Sequence, residues 1–271
     1  MTAFSSLVRQ RQTVAGAHRF TVDEDWLQGR TCYGGLVSAL AAQAMHDEAG
    51  KDWPRDVSLR ALQTSFVGPV APGHLDITVQ VLRQGKNVCQ VLAHARQDGR
   101  VAAVLLGVFS ADRPSALPTR RPHAEPLPLG ADDLPVPAAR PAQAPGFLAH
   151  FDMRWADGPP PFSGGEGWRS SLFIRPRDDD AAAVRTDVLI VLLADLAPTP
   201  VIGQLRSPAP NSSVTWALEL RPVRAAQPGQ WWRADNESTM VDGGYVNHAA
   251  RLWAPSGELG AFGYQVVAVF A

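Results

Sequence analysis

Two cysteines, Cys32 and Cys89, are all that 271 residues contain. One widely spaced pair is neither a disulfide framework nor a zinc-ligand pattern, so both are expected to be ordinary buried thiols. No apolar run approaches the roughly 18 residues of a transmembrane helix. The opening MTAFSSLVRQRQ lacks the apolar run of a signal peptide. Charge is also short: the net value is -1, with 25 basic against 26 acidic residues and no block of one sign. That excludes an extended nucleic-acid face and an acidic tail. The seven histidines have no ligand spacing, so neither a metal nor a cofactor is expected. No G-x-S-x-G elbow occurs, which argues against a serine α/β-hydrolase. A cytoplasmic location, with no membrane or nucleic-acid partner, is the expectation.

What the chain does have is proline in one place. Residues 111–145 carry nine of the 23 prolines. Proline fixes φ and removes a donor, so this stretch reads as an extended linker packed over the surface. The expected division is a first unit at 1–113, a linker at 114–145 and a second unit at 146–271.

The two units repeat one order of elements. GRTCYGGLVSALAAQAM (29–45) and VRTDVLIVLLADLAPTP (184–200) are both helices without a charged face. LRALQTSFVGPVAPG (59–73) is matched by VTWALELRPVRAAQPG (214–229), each a strand ending in x-P-V and a P-G turn. Two β-rich runs then end in VFS (108–110) and VFA (269–271). A helix apolar all round must be enclosed, and a curved antiparallel sheet encloses it. The fold class is therefore α+β, a tandem double hot-dog in which each half is a long apolar helix wrapped by a curved antiparallel sheet. A doubly wound α/β fold is disfavoured, because strands do not alternate with helices.

One residue disturbs the second helix. In LIVLLADLAPTP (189–200), Asp195 sits in the last turn among leucines. Burying an unpaired charge is costly, and the negative end of the helix dipole disfavours an acid. By spacing, Leu40 occupies the corresponding place in the first half, and Val104 corresponds to Gln265 on the last strand. A duplicated fold that needed the acid and the amide for architecture would have less reason to differ there. One working site per chain, built mainly by the second half, is expected.

YGGLVSALAAQAM, LQTSFVGPVAPG and VLRQGKNV in the first half, with LLADLAPTP, SSVTWALELRPV and YQVVAVF in the second, together resemble the double hot-dog acyl-CoA thioesterase II family. The resemblance runs from about residue 22 to 270. It implies hydrolysis of acyl-CoA to free acid and CoA without metal or covalent intermediate. The implied site is an Asp on the second helix, a Thr or Ser on the next strand and a Gln on the last, which together orient a water. Carried over, the Asp is Asp195, the only acid between Asp187 and Glu219, and the Gln is Gln265. For the hydroxyl, Ser213 fits the family pattern best and keeps Trp216, Leu218 and Leu220 on the opposite, apolar face. Counting back from Arg221-Pro222 gives Ser212 instead, and Thr215 is a third candidate. A slip of one residue reverses the face, so only one of Ser212 and Ser213 can serve. Gly34 and Gly35, opening the first helix, are expected at the substrate, where helix-start N–H groups suit an oxyanion. Bland readings stay open: Asp195 as a solvated helix-end acid, Gln265 as an edge-strand amide, and the glycines as packing. Two other functions also stay open, a non-catalytic acyl-CoA binder and a hot-dog hydratase or dehydratase. The latter class needs a His near the helix, and 184–200 contains none. A homodimer or higher homo-oligomer is expected.

Overall fold

The computed structural model describes residues 1–51, 53–54, 56–136, 144–223 and 227–271. The end of the expected linker (137–143) and part of the second P-G turn (224–226) lie outside the described residues.

The chain opens with helix α1 (Phe4–Arg9), strands β1 (Gln12–Val14) and β2 (Ala17–Val22), and a small ladder of β3 (Leu27–Gln28) and β4 (Thr31–Cys32). Helix α2 (Gly34–Ala49) follows, then β5 (Ser58–Phe66), β6 (Gly73–Gln84), β7 (Cys89–Gln97) and β8 (Arg100–Ser110). The second half contributes β9 (Phe151–Asp157), β10 (Arg169–Pro176), helix α3 (Thr186–Ala194), β11 (Asn211–Leu220), β12 (Trp232–Asp242), β13 (Tyr245–Trp253) and β14 (Leu259–Val269). All strands except β3 and β4 form one antiparallel sheet in the order β1-β2-β6-β7-β8-β5-β11-β14-β13-β12-β10-β9.

That order is a palindrome about the β5–β11 seam. Outward from it, β8, β7, β6, β2 and β1 on one side answer β14, β13, β12, β10 and β9 on the other. The bulges obey the same symmetry. Between β5 and β8 the register slips at Arg60, and between β11 and β14 it slips at Val214. Inside the sheet, α2 packs on β5 to β8 and α3 on β5, β11, β13 and β14, and the helices pack on each other. Both are closed in, with residues 35–46 of α2 and 187–193 of α3 buried. Over those residues neither helix has a solvent face, which accounts for their lack of charge patterning.

Two expectations need correction. The helices are unequal: α2 has 16 residues and α3 only nine. Pro198 disfavours helical geometry at Ala197 and Pro200 lacks a donor, so the helix stops at Ala194 and Asp195 is its C-cap. The repeat partner of Gln265 is also not Val104. Aligned on the bulges, Leu59 pairs with Phe109 as Ser213 pairs with Val267, which sets Gly107 opposite the place of Gln265. Gln265 is buried, whereas Val104 lies between buried Ala103 and Leu105 on the outer side of the pleat. Spacing misled because Phe109 and Phe270 are not counterparts: Phe109 is fully buried and Phe270 is 67% exposed.

Candidate active site

Asp195 lies where the C-terminus of α3 meets the N-terminus of α2. One end is negative and the other positive. The carboxylate therefore meets its compensation across the interface, from the Gly35 backbone N–H, which favours its charged form. Tyr33, the N-cap residue of α2, donates its hydroxyl to the Leu192 carbonyl at 2.7 Å. That satisfies one of the carbonyls the end of α3 leaves without an intrahelical partner. The Tyr33 ring is stacked on Phe147 at 4.2 Å between centroids, so the hydroxyl is held in place from behind.

The two glycines have separate reasons to be glycine. A Cβ on Gly35 would stand 2.5 Å from the Tyr33 ring and hydroxyl. A Cβ on Gly34 would stand 3.0 Å from Asp195 Oδ2 and 3.1 Å from the Phe66 ring. The bare backbone at Gly34 leaves space directly beside that carboxylate oxygen.

The other oxygen is fixed. Gln265 Nε2 donates to Asp195 Oδ1 at 2.8 Å and to Ser213 Oγ at 2.8 Å. One amide thus joins the helix cap to strand β11, and three of the expected residues come together. Ser212 and Thr215 do not join them: both are exposed on the outer face, while Ser213 turns inward. The reason corrects the register argument made from sequence. Val214 is the bulged residue, so Ser213 pairs with Val267 and Thr215 with Val266. A bulge places two consecutive residues outward, and Ser213 shares the inner face with Trp216 instead of opposing it.

Gln265 belongs to a row that crosses five strands. Thr64 pairs with Trp216, Trp216 with Gln265, Gln265 with His248, and His248 with Ser238. All five are buried, none more than 7% exposed. Phe66, Tyr33 and His248 were not singled out in the sequence. Hairpin counting could have found His248, since β13 and β14 flank a short turn and residues equidistant from it pair.

Electrostatically, Asp195 stands out. Burial pushes its carboxyl up to about 6, against the opposing pull of the Gln265 amide and the Gly35 N–H. An acid poised near neutrality suits a general base. His248 is shifted the other way. Burial lowers it to about 4, although Gln265 favours its charged form, so it is neutral at pH 7.

Comparison with known proteins adds the family. The pattern of the acyl-CoA thioesterase N-terminal domain matches residues 22–110, and that of the acyl-CoA thioesterase C-terminal domain matches residues 128–269. The chain belongs to this thioesterase family. No curated protein matches the chain. Among solved structures, a conserved hot-dog-fold protein of unknown function from Alicyclobacillus acidocaldarius superposes with a TM-score of 0.81 at 20% identity, covering 99% of this chain and 98% of that one. The tesB protein of Mycobacterium avium subs paratuberculosis gives 0.76 at 15% identity, covering 99% and 98%. The acyl-CoA thioesterase II TesB2 of Mycobacterium marinum gives 0.71 at 17% identity, covering 99% of both chains. At such identities the likeness speaks for the hot-dog fold alone.

Proposed function

We propose that this member of the thioesterase family hydrolyses acyl-CoA to free acid and CoA, on a tandem double hot-dog with one working site. On this reading its units run 1–113 and 146–271, joined by 114–145. The observation that carries the reading is the Gln265 amide bridging a carboxylate of raised pKa to the Ser213 hydroxyl.

A thioester carbonyl is electrophilic and its thiolate is a good leaving group, so the protein has to place and deprotonate a water and stabilise the oxyanion. Asp195 Oδ2, beside Gly34, takes the water proton as the oxygen adds to the carbonyl carbon. The tetrahedral adduct then expels the CoA thiolate, which recovers the proton from Asp195. Both N–H bonds of Gln265 are committed to Asp195 and Ser213, so its task is to hold those two groups. The Ser213 oxygen accepts from the amide, which leaves its own O–H free to donate to water or substrate. The Gly35 N–H favours the charged form of the carboxylate. The Gly34 N–H, first in α2, has no acceptor within that helix and is the better oxyanion donor of the two.

The test is a panel of acyl-CoAs read with a thiol reagent. Turnover by the native chain that Asp195→Asn abolishes supports the reading. Equal turnover by both ends it, and binding without turnover favours an acyl-CoA binding protein. Homo-oligomerisation, in the cytoplasm, goes with this proposal. Tyr245, Phe262 and Tyr264 are exposed along the outer face of the second half, and light scattering would reveal a monomer if the proposal is wrong.

A further inference from the structure

Prolines bring α3 to an end without choosing its last hydrogen bond. Pro198 restricts Ala197, and Pro200 lacks a donor. Neither acts on Leu196, whose N–H could still continue the ladder. In a continuing α-helix it would bond the carbonyl four residues back, at Leu192. It bonds the Leu193 carbonyl instead, at 3.2 Å. The chain is thus tightened to a turn of the i→i+3 kind at the residue that carries the carboxylate. Asp195 accordingly has φ -96° and ψ 0°, the bridge region and not the helical one.

The Leu192 carbonyl receives another donor, the Tyr33 hydroxyl at 2.7 Å. Tyr33 is the N-cap residue of α2, in the first half of the chain. Its side chain reaches α3 by folding back over Gly35, where a Cβ would stand 2.5 Å from the ring and the hydroxyl. The ring is 1% exposed and lies parallel to Phe147, within 1°. With the hydroxyl in place Leu192 is satisfied, and the Leu196 N–H is released to Leu193. Without it a buried carbonyl lacks a partner, which is costly, and the Leu196 N–H is the donor at hand. Taking that N–H back moves Asp195 toward the helical φ of about -63°. Such a rotation, about 30° around the N–Cα bond, swings the carboxylate by roughly 1 Å relative to Gln265.

The opposite junction of the two helices is braced on the same plan, but with charge. Arg185 is the N-cap residue of α3. Its Nε lies 3.2 Å from His46 Nε2 in the last turn of α2, and its Nη2 donates to the Val57 carbonyl at 2.9 Å. A guanidinium in the place of Tyr33 would set a cation beside Asp195 and favour its ionised form. The phenol braces the end of α3 without that charge.

We propose that Tyr33 is a positioning residue: its hydroxyl takes over the Leu192 carbonyl, so that α3 turns off at Asp195 with the carboxylate on the Gln265 amide and facing the start of α2. Its effect on turnover rests on the active-site reading given above, whereas its effect on the end of α3 does not.

Two measurements on the full chain test this. The first is a crystal structure of Tyr33→Phe, which keeps the ring and loses only the hydroxyl. The Leu196 N–H is expected on the Leu192 carbonyl at about 3 Å, with the Asp195 carboxylate displaced from Gln265. Leu196 still on Leu193, with Asp195 unmoved, overturns the proposal whether or not the protein turns over any acyl-CoA. The second measurement separates the donor from the packing. At position 33, 4-methylphenylalanine fills the space of tyrosine without donating, and 4-aminophenylalanine restores a donor at the end of the ring. Should Tyr33→Phe fail to fold, the 4-methylphenylalanine chain takes its place in the first measurement. In the acyl-CoA assay the Phe and 4-methylphenylalanine chains should lose about 10–100-fold in kcat at little changed KM, the cost of misplacing a reacting group by roughly 1 Å. The 4-aminophenylalanine chain should stay within about 3-fold of native. Equal kcat in all three replacements, whether native or impaired, overturns the proposal. If the native chain hydrolyses no acyl-CoA, the thioesterase reading fails, and the Tyr33→Phe structure still decides the inference about Tyr33.

Discussion

Helix α3 carries a buried carboxylate at each end, and the two behave in opposite ways. Asp187, in the first turn, sits at the positive end of the dipole and is surrounded by donors. His46 Nε2 is 2.8 Å from Asp187 Oδ2, the Leu59 N–H donates to the same oxygen at 2.8 Å, and Arg185 Nε is 3.4 Å from Oδ1. Burial works against its charge, but His46, the Leu59 N–H and Arg185 more than offset it and hold the carboxyl below the usual range. Asp195, at the negative end, has one amide and one N–H, and its carboxyl is pushed up to about 6. Seven residues of apolar helix, 188–194, thus separate an acid that stabilises the fold from one that strains it. Asp187 ties α3 to α2 and β5 and is fully ligated. Asp195 keeps Oδ2 beside the bare backbone of Gly34, and its raised pKa suits it to accept a proton.

Asp195→Asn should break the comparison most strongly. The amide keeps an acceptor for Gln265 but cannot take a proton, so kcat should fall by about 1000-fold or more, roughly 4 kcal/mol of barrier. Stability should move the other way. A folded pKa above the unfolded one means the folded state holds the extra proton between about pH 4 and 6, so stability declines as pH rises through that window and stays lower above it. The shift is worth about 2 kcal/mol after discounting for partial solvent contact. Urea unfolding at pH 8 should show Asp195→Asn more stable than the native chain by about that amount, with the difference vanishing near pH 4. A variant no more stable at pH 8 would mean the carboxylate is not strained.

Asp187→Asn should do the reverse. Losing the charge opposite His46 and Arg185 is expected to cost about 2–3 kcal/mol of stability at pH 7. Turnover should change by less than about 3-fold, because Asp187 touches no site residue. The sign also differs with pH: a depressed carboxyl contributes stability above its unfolded value that is lost as pH falls through its folded one. Unfolding curves of the two Asn variants against pH should therefore diverge from the native curve in opposite directions. In the native chain, kcat/KM should drop tenfold per unit below about pH 6 as Asp195 takes up its proton. A flat profile down to pH 5 would remove Asp195 as the base.

Much of this contrast was legible in the sequence and part of it was not. The palindromic sheet follows from the repeated order of helix, strand and turn. Asp195 is conspicuous because an acid among Leu192, Leu193 and Leu196 has no local excuse. Asp187 attracted no notice, since an acid in a first helical turn is ordinary and its partners His46 and Leu59 are more than a hundred residues away. Ser213 was favoured over Ser212 on pattern, yet the face it shares with Trp216 could not be counted out. One bulged residue, Val214, reverses alternation, and no residue type announces such a bulge. The same bulge phase moved the counterpart of Gln265 from Val104 to Gly107. Strand pairing, unlike strand identity, is settled by contacts far apart in sequence.

The sharpest of the smaller tests concerns the space beside Asp195 Oδ2. At the first position of a helix, Gly to Ala is usually neutral or stabilising, because alanine has less backbone freedom to lose. Gly34 has no left-handed backbone to object to a side chain, since its φ is not positive. What a methyl group meets there is Asp195 Oδ2 at 3.0 Å and Phe66 at 3.1 Å, distances a few tenths of an ångström too short. Phe66, half-buried on β5, can yield a little. The methyl then occupies the place where a water would approach the carboxylate. Gly34→Ala is therefore expected to leave the unfolding midpoint unchanged or slightly higher and to lower kcat/KM by about 10-fold, a misplacement effect at the low end of what positioning contributes. Gly35→Ala is the control: its Cβ would stand 2.5 Å from Tyr33, so the tyrosine pinned by Phe147 has to move, and stability and activity should fall together. If Gly34→Ala is as active as the native chain, the reacting water does not approach from the α2 side. The free face of Asp195 would then have to be sought on the side of Ser213.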